Sequence, residues 1–184
     1  AVRRIAGLGK IAGPHFRVMW DNAYAVHDLE EDPPELANVM DEARVESCED
    51  SIILTASTSK ITFAGGGIAF IGASVENLKH FRKRLAVMTI GPNKLTQQRH
   101  MLFLHDLNGV RQLMRRHAEI LLPKFDAVQW RLEQDLGGRN MGSWSRPEGG
   151  YFVSFNALPG TAVEIVRLAG EAGVKLTPAG ATFP

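Results

Sequence analysis

The chain has 184 residues, 45% of them hydrophobic, and 21 Lys and Arg against 20 Asp and Glu leave a formal charge of +1. That supports one substantial core and gives no electrostatic drive towards nucleic acid or an anionic membrane. The single cysteine, Cys48, excludes an internal disulfide, and no apolar run approaches the ~20 residues that span a bilayer, so the expectation is a cytoplasmic protein of soluble metabolism with no nucleic-acid or membrane partner.

In chain order, "AVRRIAGLGKIAG" lacks the continuous apolar segment of a secretory leader and reads as the tail of an amphipathic helix. "FRVMW" is the first strand candidate and breaks at Asp21 and Asn22. Beyond the loop "EEDPPE", Pro34 is expected to open a helix through "ELANVMDEA", because proline at the first helical position loses no useful N–H. "SIILTAS" is a continuous β-branched and apolar run, as in a buried strand, and it ends at "STSK". Glycines 65 to 67 lead into a second buried-strand pattern, "IAFIGAS". In "VENLKHFRKRLAV", Val75, Leu78, Phe81 and Leu85 recur at helical spacing. This alternation of strand and helix predicts an α/β fold with a mostly parallel sheet and flanking helices. From Leu95 to Leu136 one long helical pattern follows, with an apolar face of Val110, Leu113, Met114, Ile120, Leu121, Phe125, Val128 and Leu132, and Pro123 should bend it. "GGRNMG" ends that helix, and "WSRPEGGYFVSF", the helix "AVEIVRLAGEAG" and the strand-like "VKLTP" read as the start of a smaller α+β domain.

Asp21 and Tyr24 follow one predicted strand, and Ser57, Ser59 and Lys60 follow another. In an open parallel sheet ligands gather outside the carboxyl ends of the strands, so the two segments are expected to meet. A carboxylate, a phenol, hydroxyls and one lysine together suit pyridoxal 5'-phosphate. Asp21 would keep the pyridine nitrogen protonated, Tyr24 would hydrogen-bond the ring oxygen, and Ser57 and Ser59 would take the phosphate. Lys60 would first anchor the cofactor and then, once released, move a proton.

Taken together, "DNAYAVHDL", "ASTSKITFAGGGIAFIGAS", "TIGPNKLTQQRH", "RPEGGYFVSF" and "GVKLTPAGATFP" closely resemble the fold type I aminotransferases, specifically the class Ic subgroup of bacterial aspartate aminotransferases. The resemblance implies that Asp21 and Tyr24 are the pair of a D-x-x-Y motif, and that Ser57 and Lys60 are the phosphate serine and the Schiff-base lysine of S-x-x-K. It implies transamination of an amino acid with a 2-oxo acid, aspartate with 2-oxoglutarate, in a homodimer with shared active sites. It further implies that residues 1–137 are the later part of the cofactor-binding large domain and 138–184 the beginning of the small one. Lys94, in the segment that reaches a neighbouring subunit's site in such dimers, is the candidate for the distal carboxylate of a dicarboxylic substrate.

The pattern also departs from the family. Where many fold type I aminotransferases carry a phosphate-binding arginine, eight residues after the lysine, this chain has Ile68. The upstream Asn-Pro-Gly-type motif and the C-terminal arginine for the substrate α-carboxylate are absent, as expected of a middle piece of a longer enzyme. The alternative reading is an aminotransferase-like domain that senses pyridoxal phosphate within a transcriptional regulator, although no helix-turn-helix or basic region is visible. "FAGGGIAF" is not a dinucleotide loop, because its glycines precede an apolar strand instead of opening a helix; they fit a tight backbone path near the cofactor. His100 and His105 do not share a helix face, so no metal site is expected. Trp20, Trp130 and Trp144 read as packing residues, and "KHFRKR" as a solvated helix face.

Overall fold

The computed structural model describes residues 1–181, so the end of "GVKLTPAGATFP" lies outside the described residues. A short helix, α1 (Val2–Ala6), and the 3-10 turn Gly7–Lys10 lead into strand β1 (Val18–Asp21). Helix α2 (Val39–Val45) precedes the central strand β2 (Ile52–Ser57). Strand β3 (Ala69–Ala73) and helix α3 (Val75–Met88) follow, then α4 (Lys94–Leu104) and the long α5 (Leu107–Leu136). Strands β4 (Gly142–Trp144) and β5 (Phe155–Ala157) form a separate antiparallel pair, and α6 (Ala162–Glu171) comes after them.

Within the expected α/β class, β1 and β2 are parallel, with Val18 opposite Ile52 and Asp21 opposite Thr55. β3 instead lies antiparallel to β2 on its other side. The connection 58–68 explains this, because a parallel crossover needs a dozen or more residues, usually including a helix. The core sits between this sheet and the first two helices: Ala6, Val39, Ala43 and Ile52 are buried together, and Val18, Trp20 and Leu54 pack against them. Arg3 and Lys10 both reach Glu46 after α2, holding its carboxyl below the usual carboxylate range.

Several expectations are corrected. Pro34 does not open α2; residues 33–38 form no helix, and Asn38 caps α2 by accepting the Met40 N–H at 2.9 Å. An asparagine oxygen satisfies an otherwise orphaned helix donor, which proline cannot do. The long helical pattern is interrupted at His105–Asp106 and continues through Pro123 as one helix. His105 takes a left-handed φ of 59°, and Asp106 caps α5 through the Gly109 N–H at 2.9 Å. Gly109 is needed at this corner because a Cβ there would lie 1.7 Å from the Leu104 carbonyl oxygen. The apolar faces predicted for α3 and α5 are largely uncovered: among the described residues α3 buries none and α5 buries only Met114. "VKLTP" forms no strand.

Candidate active site

Parallel pairing brings the carboxyl ends of β1 and β2 to one edge of the sheet. Asp21 is the last residue of β1 and Ser57 the last of β2, and the Asn22 N–H donates to the Thr55 carbonyl at 2.7 Å, extending the register past the strand. Beyond Asp21 the chain folds into turns in which the His27 N–H donates to the Tyr24 carbonyl at 3.2 Å. That sets the Tyr24 and His27 rings edge to face, 5.2 Å between centroids.

Lys60 sits inside a single tight turn. The Thr58 carbonyl accepts the Ile61 N–H at 3.0 Å, the Thr62 N–H at 2.9 Å and the Thr62 hydroxyl at 3.1 Å. The Lys60 carbonyl is held by two donors, His27 Nε2 at 3.0 Å and the Tyr151 hydroxyl at 3.0 Å. Because a carbonyl only accepts, His27 must carry its proton on Nε2, which leaves its buried Nδ1 without a partner. Burial holds His27 below the ordinary histidine range, despite the opposing hydrogen bond to Lys60. Burial also pushes the Tyr151 phenol up, helped by the neighbouring Tyr24, so Tyr151 remains a donor. Tyr24 meets Tyr151 and Phe152 edge to face, at 5.3 and 5.7 Å between centroids. Residues far along the chain therefore close the wall around the lysine turn. The Leu29 N–H donates to the Glu148 carbonyl at 2.9 Å and the Gly150 N–H to the His27 carbonyl at 2.8 Å, docking that wall on the loop after β1.

Ser57 and Ser59 form a hydroxyl relay. Ser57 Oγ accepts the Ser59 N–H at 3.0 Å and donates to Ser59 Oγ at 2.8 Å, leaving the Ser59 hydrogen available to a ligand. The glycine run passes close to the serine turn: a Cβ on Gly67 would stand 2.8 Å from the Ser59 nitrogen. Ile68, at the position of the family's arginine, takes part through its backbone, exchanging hydrogen bonds with Thr58 at 2.9 and 2.7 Å. The structure thus brings the Asp21–Tyr24 segment against the turn carrying Ser57, Ser59 and Lys60. Lys94 is apart from them, exposed at the first position of α4. Asp21 and Lys60 are exposed too, and no ion pair among the described residues engages either.

The donor set fits pyridoxal phosphate in its essentials: an amine, an unpaired carboxylate, a half-buried phenol and a free hydroxyl hydrogen lie on two adjoining segments, although no guanidinium follows the lysine. Sequence reasoning did not single out His27, Thr58, Thr62 or Tyr151, and it considered His100 only as a metal ligand. All five lie inside the quoted motifs, and that was the available signal.

A mixed α/β sheet here presents a clamped lysine turn beside a carboxylate and a phenol, the donor set of the lysine-dependent class of enzymes the sequence resembles. The chain belongs to the aspartate aminotransferase family, whose model, described as aspartate amino-transferase, matches residues 1–184. A Mycolicibacterium smegmatis protein named no more specifically than an aminotransferase is 45% identical over 183 residues, covering 100% of this chain and 42% of its own length. The crystal structure of an aspartate transaminase from Corynebacterium glutamicum superposes with a TM-score of 0.91 at 40% identity, covering 100% of this chain and 43% of that one. An α-aminoadipate aminotransferase from Thermus thermophilus, solved with N-(5'-phosphopyridoxyl)-L-leucine, shares the fold at a TM-score of 0.75 and 23% identity, over 98% of this chain and 44% of its own. The chain therefore spans less than half the length of these relatives.

Proposed function

We propose that the protein carrying this sequence is an aminotransferase that holds pyridoxal phosphate on Lys60 and moves an amino group between an amino acid and a 2-oxo acid, aspartate with 2-oxoglutarate. The observation that carries this reading is the His27–Lys60 hydrogen bond, which ties the loop bearing Asp21 and Tyr24 to the turn bearing the lysine. When bound, the cofactor supplies an electron sink for charge developing at the substrate α-carbon. The protein residues supply the rest. Asp21 holds a proton on the pyridine nitrogen, Tyr24 donates to the ring oxygen, and the Ser59 hydroxyl, ordered by Ser57, donates to phosphate. The Lys60 amine anchors, and once free it accepts and returns a proton. Residues 138–184 are the beginning of a small domain in this reading, supported by the separate β4–β5 pair.

The protein is further proposed to work as a homodimer, with Lys94 reaching the neighbouring subunit's site. Its support is the exposed apolar surface flanking Lys94, which includes Ile90, Leu95, Met101, Leu102 and Phe103. An exposed lysine can supply a point charge to a distal carboxylate, although without the bidentate fork of arginine.

Borohydride adds hydride to a C=N bond and fixes the cofactor to its lysine as a secondary amine. Reduction after loading with pyridoxal phosphate, followed by peptide mapping, should find the adduct on Lys60 and lose it in Lys60→Ala. An adduct elsewhere, or transamination surviving in Lys60→Ala, overturns the reading.

A further inference from the structure

His100 is buried on α4 and hydrogen-bonds neither to Lys60 nor to any residue assigned above to the cofactor, yet its ring meets the lysine turn at both ends. Its Nδ1 lies 2.8 Å from the Thr96 carbonyl, an acceptor only, so Nδ1 carries the proton and Nε2 is a lone-pair acceptor. Nε2 lies 2.8 Å from the Thr58 hydroxyl and 3.3 Å from that of Thr62. Thr58 Oγ1 already accepts the Ile68 N–H at 2.7 Å, so its own hydrogen is the one directed to His100. The Thr62 hydroxyl has a competing acceptor in the Thr58 carbonyl, so the Thr58 bond is the one His100 fixes.

The result is a directed chain of donors and acceptors, from the Ile68 N–H through Thr58 Oγ1 to His100 Nε2, with Nδ1–H anchored on α4. It locks the first residue of the turn and the strand that follows the glycine run. Lys60, two residues further on, has its side chain free while its backbone is pinned at Thr58 from α4 and at its own carbonyl by His27 and Tyr151.

We propose that His100 is a positioning residue for Lys60, acting through Thr58, and that it fixes where the lysine amine meets an aldehyde cofactor. The inference rests on the proposed role of Lys60. It selects among replacements by geometry: Gln can place its carbonyl oxygen near the position of Nε2 and still accept from Thr58, Asn reaches only the level of Nδ1, and Phe fills the volume without accepting.

The test uses the whole protein that carries this sequence, with three readouts: the rate of pyridoxal phosphate attachment at Lys60, the pH titration of the visible absorbance of the lysine-bound cofactor, and amide exchange at Ile68 without cofactor. In His100→Phe and His100→Asn, attachment should slow on the order of tenfold to a hundredfold, as misplacement of a reacting group costs. The absorbance titration should shift and Ile68 exchange accelerate. His100→Gln should recover all three, and Thr58→Ser should behave as wild type where Thr58→Val does not, a second pair in case the His100 variants fold poorly. A purely structural His100 would lower thermal stability in Gln, Asn and Phe alike and leave the absorbance titration where it is. That result overturns the proposal. A wild-type protein with no adduct at Lys60 instead overturns the role of Lys60, and the two failures are separable because Ile68 exchange reads the clamp without cofactor.

Discussion

Two donors, the Nε2–H of His27 and the phenol of Tyr151, share the Lys60 carbonyl, and each depends on its protonation state. His27 is held below its ordinary value chiefly by burial. Between that ordinary value, about 6.5, and the lower folded value, the unfolded chain binds a proton that the folded chain does not, so stability rises with pH in this window. Its contribution is complete above about pH 6.5 and is lost as pH falls through the folded value. Thermal midpoints measured across this range should therefore decline on the acid side in wild type, and His27→Gln should flatten that decline. Tyr151→Phe removes one of the two donors and should cost about 0.5–1.5 kcal/mol in denaturant unfolding. Asp21, Tyr24, Ser57 and Lys60 stand out in the sequence because they fall on short motifs of the family it resembles, and the fold brings their two segments together. His27, Thr58, His100 and Tyr151 do not, because the carbonyls and hydroxyls they meet are brought to them only by the fold. No local spacing records which side chain will meet a distant carbonyl or hydroxyl.

At the level of elements, β1, β2 and β3 were legible from apolar continuity but the antiparallel sense of β3 was not, and "VKLTP" gave no strand, whereas the helix ends followed from caps that composition had obscured. The doubled proline before α2 drew attention from Asn38, the residue that caps it. Asn38→Ala should destabilise the fold by about 1 kcal/mol in chemical denaturation. Ile52, fully buried against α1 and α2, should cost about 2–5 kcal/mol when cut to alanine, because the rigid sheet beneath it cannot close the cavity. Gly67→Ala sets a methyl group against the backbone of Ser59, which has no flexible end to swing aside. Overpacking of this kind typically costs about 1–3 kcal/mol, and here it should also loosen the serine relay, so equilibrium dialysis should find weaker pyridoxal phosphate binding. The break between α4 and α5 escaped the periodicity because apolar residues continue through it. Only the pairing of Asp106 with Gly109 marks the corner, and that signal is stereochemical rather than hydrophobic.

Across the whole molecule, the main buried cluster among the described residues lies between the first helices and the β1–β2 ladder, with Leu29, Cys48 and Met114 buried outside it, while α3, α4 and most of α5 show apolar side chains to solvent. The predicted stripes are present as sequence patterns without the layers that would cover them, in a chain spanning 42% of one relative and 43% of another. If a second copy covers the surface around Lys94, light scattering on the whole protein should give a dimer, and Phe103→Glu should shift it towards monomer. A wild-type monomer would remove the shared-site role of Lys94. Lys94→Ala should raise KM for a dicarboxylic substrate more than for a monocarboxylic one.

The contacts that hold the lysine turn join residues 33, 42 and 91 positions apart. Contacts of such separation form late, after the entropy of closing their loops has been met. The turn is thus a clock for folding: the β1–β2 ladder closes a loop about as long as the His27 contact does, so a nascent chain can have its sheet in place while the far longer Tyr151 contact on the Lys60 carbonyl is still open. Reactivity with an aldehyde, followed during refolding, should appear last and report that the chain is finished.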